Sequence, residues 1–207
     1  MGAVVDLERL LEQRQVWRGR QTQVRPQGLQ PTGHAQLDQQ LPEGGWPVAA
    51  LSELLLASAG CGELHLLWPT LARLTSERQR VVLVAPPFIP YAPAWLAAGV
   101  DLRWLAVIDA SAQEVLWAAE QCLRSGSCAA VLCWPAQADD RALRRLQVAA
   151  QTGNALGIAC RPLQAAGNPS PAALRIAIDA RPAQWRVLKC RGGQAPSTPL
   201  ARPRQGR

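Results

Sequence analysis

Short apolar runs alternate along this chain with segments whose leucines recur every three or four positions. The first pattern predicts strands buried on both faces, and the second predicts amphipathic helices. Strands are expected over 48–56, 81–85, 104–108, 128–134 and 156–160. Helices are expected between them. One carries Leu37 and Leu41 behind a Thr32 cap, and another runs 63–76 with Leu64, Leu67, Leu71 and Leu74 in helical spacing. Pro69 lies inside the second and should kink or split it. Pro93 opens a short helix to 98, the Ser111–Glu114 capping box starts one to 124, and Asp139 or Asp140 caps one to 152. Strand–helix alternation of this kind predicts a parallel sheet with helices on both faces.

The alternation stops after Cys160. A Pro/Gly/Ala/Asn loop over 161–171 precedes two strands, 173–180 and 184–191, joined by a turn at Arg181-Pro182. They read as an antiparallel hairpin on one edge. The remainder, 192–207, is basic and proline-rich and is expected to be disordered. At the other end, Val4, Leu7, Leu10 and Leu11 share one face of a helix over 4–17, with Trp17 near its edge. The organisation expected is an N-terminal helix and linker (1–28), an α/β core (29–191) and a basic tail (192–207).

At 207 residues and 48% apolar composition the chain can build one sizeable core. No apolar run reaches the roughly 18 residues of a membrane span, and the N-terminus lacks a secretory signal pattern, so a cytoplasmic protein with no membrane partner is expected. Six cysteines without a C-x-x-C pair, and only two histidines, argue against zinc and for buried reduced thiols. The net charge of +7 is uneven: residues 31–178 carry ten arginines against eleven acids, whereas residues 179–207 carry six arginines and one lysine against Asp179. That basic end reads either as a contact for nucleic acid or an acidic protein, or as a solvated tail.

Between the first strand and the helix at 63 lies Ala57-Ser58-Ala59-Gly60-Cys61-Gly62-Glu63-Leu64. A phosphate-binding loop at this place reads G-x-x-x-x-G-K-[ST], its lysine on the phosphates and its hydroxyl on magnesium. Here Ala57 replaces the first glycine, Gly62 keeps the second, Glu63 replaces the lysine and Leu64 the hydroxyl. A carboxylate repels a triphosphate where a lysine attracts it.

The order of elements, together with Thr32-Gly33, Gly44-Gly45-Trp46-Pro47, Leu96–Asp101 and Arg124-Ser125-Gly126, resembles the RecA-type ATPase core over about residues 29–191. On that resemblance the catalytic glutamate falls near Pro87 and the magnesium-side aspartate at Trp134, which would fill the emptied metal site. Three losses at matching positions imply a core without ATP hydrolysis, no cofactor, no metal and no catalytic residues. Glu53-Leu54, Gly62-Glu63-Leu64, Ala85-Pro86-Pro87, Pro90-Tyr91-Ala92-Pro93 and the segment 185–193 are similar to the translesion-synthesis-associated ImuA family. That resemblance implies a non-catalytic adaptor of a DNA-damage-induced mutagenesis complex. Its partners would be an ImuB-type polymerase-like protein, a DnaE-type error-prone polymerase, RecA, and DNA through the basic C-terminus. The SulA cell-division inhibitors share the same degenerate core and are the alternative, with the tubulin-like division protein as partner.

Without an active site, function is expected on surfaces. Leu7 and Leu11 mark the N-terminal helix as one candidate. Trp185, Arg186, Lys189 and Arg191 mark the last strand as another, an aromatic among basic groups. Strict alternation would put Arg186, Leu188 and Cys190 on one face and Trp185, Val187, Lys189 and Arg191 on the other. The loops 135–140 and 161–171, with Arg161 as their only basic side chain, are poorly suited to DNA.

Overall fold

The computed structural model describes residues 30–203. Leu7, Leu11 and the rest of the expected N-terminal helix lie outside the described residues.

The sheet has eight strands in the order β3-β2-β4-β5-β1-β6-β7-β8. They are β1 Leu51–Leu56, β2 Val81–Val84, β3 Leu105–Ile108, β4 Ala130–Cys133, β5 Leu156–Pro162, β6 Leu174–Asp179, β7 Gln184–Cys190 and β8 Leu200–Ala201. Strands β1 to β6 are parallel, and β7 and β8 are antiparallel additions at one edge. This is the α/β architecture expected, a RecA-like parallel sheet flanked by helices with a C-terminal antiparallel hairpin. The helices are α1 Ala35–Gln40, α2 Glu63–Ser76, α3 Ala92–Ala97, α4 Val115–Arg124 and α5 Asp140–Thr152. A large core joins α1, α2, α3 and Trp46 to one sheet face, and a second joins α4 and α5 to the other.

Pro69 does not split α2, which runs unbroken from Glu63 to Ser76. A proline removes the N–H that would bond the carbonyl four residues back, here that of His65. The His34 ring lies over this turn, its Nε2 3.2 Å from the neighbouring Leu66 carbonyl oxygen. The ring itself is held below its ordinary pKa, chiefly by burial. Gly33 lies against Pro69, where a Cβ would come within 2.2 Å of the Pro69 Cβ, so the lead-in and the proline fit as a pair. Thr32 is not the cap of α1. His34 occupies that position, and Thr32 donates from both its backbone N–H and its hydroxyl to Asp38.

The β6–β7 pairing shifts register between Arg175 and Ile176, leaving Leu188 as an extra residue on β7. A bulge of this kind reverses the alternation beyond it. Trp185, Val187 and Cys190 therefore share one core, while Leu188 packs on the opposite face with Leu55 and Ala177. The strict alternation read from the sequence fails at this residue. The tail also departs from expectation: residues 200–201 pair with 184–185 as β8, so the chain returns to the sheet.

Cys128, Cys133, Cys160 and Cys190 are buried, and Cys61 and Cys122 are partly so. Burial pushes the Cys133 thiol up to about 12 and raises Cys160 well above its ordinary value. Since the thiolate is the reactive form, the four buried thiols should resist a thiol reagent at mildly alkaline pH until denaturant is added. Labelling of all six in the native chain would show that the core opens readily.

Candidate functional site: the carboxyl ends of the parallel strands

The carboxyl ends of β1, β2, β4 and β5 meet at one rim of the sheet, the usual place for a site in an open α/β fold. The loop 57–62 leaves β1 there and feeds α2. Its backbone N–H groups would be unpaired at the start of a helix. Glu63 takes two of them: its carboxylate accepts from Gly60 N and Gly62 N, each at 3.1 Å. The side chain is almost wholly buried. An anion from the chain itself thus sits on amides of the loop.

Gly62 holds φ +114°, a conformation that side chains rarely adopt, and a Cβ there would lie 1.8 Å from the Arg202 guanidinium. Arg202 follows β8, and its Nη1 donates to the Cys61 carbonyl at 2.8 Å. The C-terminal segment, expected to be free, is pinned onto this loop.

Beside the loop is a cleft of about 200 Å³ lined by Ala57, Ser58, Pro87, Trp134, Ala136 and Arg161, among others. The structure thus brings Pro87, Trp134 and the loop together, as the sequence reading placed them. Glu63 and Leu64 do not line the cleft. Trp134 forms one of its walls and leaves it open.

Beneath the cleft is a buried ion cluster. Glu53 on β1 is fully buried between two arginines, with Arg161 Nη1 2.5 Å from its Oε1 and Arg175 Nε 2.7 Å from its Oε2. Arg161 also donates to the Ala138 carbonyl. Arg175 donates to the carbonyls of Ala165, Ala166 and Asn168, closing the short 3-10 turn Leu163–Gly167.

Above the cleft the loop 86–91 turns outward. Phe88, Ile89 and Tyr91 are 64%, 95% and 71% exposed, and Leu96 on α3 is also exposed. Phe88 leans toward Gly60. The chain from 81 to 100 carries no charge. Apolar side chains this exposed, in a loop stiffened by Pro86, Pro87 and Pro90, form a surface patch that marks interaction sites. In the sequence this run counted only as a motif of family resemblance, not as an exposed surface. The available signal was three large apolar residues between prolines, away from any strand or helix that could bury them.

The last strand does not present the surface expected of it. Trp185 is only 2% exposed and meets His34 edge-on at 4.6 Å. Its aromatic face is therefore not available alongside the basic groups. Arg186 is bound to Asp179 at 2.7 Å, a contact that holds the aspartate below the usual carboxylate range. Lys189 is exposed and donates to the Ser170 carbonyl, and Arg191 is exposed. The helix expected over 93–98 is α3, Ala92–Ala97, and 135–139 is a loop, but 161–171 is only partly one: Arg161 and Pro162 end β5 and Leu163–Gly167 form a 3-10 turn. Among the described residues no cluster of three or more metal-ligating side chains occurs, and no helix is long and apolar enough to cross a membrane.

An eight-stranded, mostly parallel sheet with a loop–helix element at the end of β1 defines the class: a RecA-like α/β protein. The family model described as "Cell division inhibitor SulA" matches residues 50–157, from just before β1 into β5. That span exceeds half of the chain, which therefore belongs to the SulA family. A solved structure, SulA from Pseudomonas aeruginosa, is 28% identical, with 56% of this chain and 99% of that chain covered and a TM-score of 0.47. Among curated proteins none matches the chain. The main functional expectation, a mutagenesis adaptor like ImuA, is overturned by the family match. Of the short motifs that suggested it, those at 53–54, 62–64, 85–87 and 90–93 fall inside the span that the division-inhibitor model matches, and the segment 185–193 lies outside it.

Proposed function

We propose that this protein is a SulA-like inhibitor of cell division in the response to DNA damage, acting by binding the tubulin-like division protein rather than by catalysis. The match of residues 50–157 to the division-inhibitor family carries this reading. Two features of the rim support it. Glu63 fills the amides on which a nucleotide phosphate would rest, and no lysine stands beside them, so the loop is a structural turn and not an ATP site. Phe88, Ile89, Tyr91 and Leu96 supply an uncharged apolar surface within the matched span, and that patch is the docking face.

Expression of the chain in a rod-shaped bacterium should block septation and produce filaments. The purified chain should slow polymerisation of the division protein in a sedimentation assay. Replacing Ile89 with aspartate, at an exposed position that costs the fold little, should weaken that binding about 30-fold or more, the loss typical of a central contact residue. Normal septation at full expression would overturn the reading. An Ile89→Asp variant that binds as tightly as the parent would move the docking face elsewhere.

A further inference from the structure

The division-inhibitor family model stops at residue 157, inside β5, so β6, β7, β8 and Arg202 all lie beyond the matched span. This added part reaches back to the rim within that span. Its last stretch is held by few contacts. β8 pairs only with Gln184 and Trp185, Leu200 packs partly buried against the larger core, and the Arg202 backbone N–H donates to the Ala183 carbonyl at 3.0 Å. From there the Arg202 side chain crosses to the loop 57–62 and donates to the Cys61 carbonyl.

The loop is thereby gripped from two sides. Glu63 holds its Gly60 and Gly62 amides from within, and Arg202 holds the carbonyl between them from outside. Gly62 leaves room for this, since a Cβ there would collide with the guanidinium. Gly60 in turn faces the Phe88 ring, whose Cε2 would lie 3.3 Å from a Cβ placed on it. Phe88 is exposed and belongs to the apolar patch of the loop 86–91. Contacts therefore run from Arg202 through Cys61 and Gly60 to Phe88.

We propose that residues 200–202 are a strap that sets the docking face: Arg202 fixes the loop 57–62, and the loop fixes Phe88 in the patch offered to the partner protein. Arg202 is a positioning residue, acting through Cys61. A strand with two paired residues opens more readily than the long strands beneath it, and a loop that opens with it carries Phe88 out of place. Binding then falls with the fraction of time in which the face is formed. The identity of the partner rests on the division-inhibitor reading; the hold of Arg202 on the loop does not.

Amide hydrogen exchange of the full chain tests the hold, and affinity for the division protein tests its effect. Arg202→Met keeps the stem of the side chain and deletes the donors. It should speed exchange at Gly60 and Gly62 about tenfold, the loss of one hydrogen bond from a charged donor, and leave β1 and β5 unchanged. It should also weaken binding about fivefold, as the formed fraction of the face falls. Arg202→Lys keeps a charged donor and should restore most of both. Arg191→Met removes the same charge from an exposed position just past β7 and should change neither. Unchanged exchange in the loop overturns the strap. Equal acceleration in the core strands does so too, since it marks a general loss of stability. Faster loop exchange with the parent's affinity retained overturns the link to the docking face. If Arg202→Met does not fold, Arg202→Gln takes its place under the same readings. A parent chain that does not bind the division protein sinks the division-inhibitor reading, and the exchange rates still decide the strap.

Discussion

Glu53→Gln should lower the free energy of unfolding by about 3–5 kcal/mol, the usual cost of removing one partner from a buried ion pair. The substitution keeps the shape of the side chain and one acceptor oxygen, so the loss reports the charge. Its size follows from position. Glu53 sits in register with Arg175 on β6, one strand away, while Arg161 reaches it from β5 on the other side. Both arginines are buried, so neither can turn to water when the carboxylate is neutralised. Against a total stability of about 5–15 kcal/mol for a domain, the variant should be close to the edge of folding at 37 °C. Urea unfolding followed by tryptophan fluorescence measures it. A change below about 1 kcal/mol would mean that the two guanidinium groups are compensated from elsewhere.

Trp46→Ala should cost a similar amount, about 3–5 kcal/mol, for a different reason. Trp46 is fully buried and ties the lead-in segment to α2. Its backbone N–H donates to the Gln30 carbonyl at 2.7 Å, and its indole N–H donates to the Thr70 hydroxyl at 2.8 Å. That hydroxyl in turn lies 3.2 Å from the Thr32 carbonyl oxygen. Truncation leaves a cavity between Leu37 and α2 and leaves Thr70 without its donor. Trp46→Phe separates the two effects: it keeps most of the packing and should cost only about 1–2 kcal/mol. Equal losses in the two variants, by thermal or urea unfolding, would place the energy in the hydrogen bond and not in the cavity.

The sheet was legible because its strands are short, apolar and spaced by helices with readable caps. Asp139 does cap α5, accepting from Ala142 N at 2.7 Å, whereas ahead of α4 the Ser111 hydroxyl and N–H both bond the Glu114 carboxylate and Glu114 itself holds the N-cap position. What escaped were features that depend on two distant segments. The bulge at Leu188 is set by pairing with β6 and leaves no mark in β7 itself. Pro69 looked like a helix breaker because the residues that fit against its turn, Gly33 and His34, come from far earlier in the chain. Arg202 looked like one more charge on a loose tail because its acceptor, the Cys61 carbonyl, lies 141 positions away. For the site, the loop 57–64 was singled out by what it lacks. What replaced the missing ligand was not readable, since Glu63 in a sequence is only a wrong charge. The exposed patch was overlooked because whether Phe88, Ile89 and Tyr91 are covered depends on which distant segments pack against a loop, and none of the described ones does.

Glu63 has one further consequence. A loop that closes around a nucleotide owes part of its shape to mass action, and its stability rises and falls with the concentration of that nucleotide. Here the anion is covalently part of the chain, present at every loop in equal measure. The turn from β1 into α2 therefore needs no added anion to hold its Gly60 and Gly62 amides.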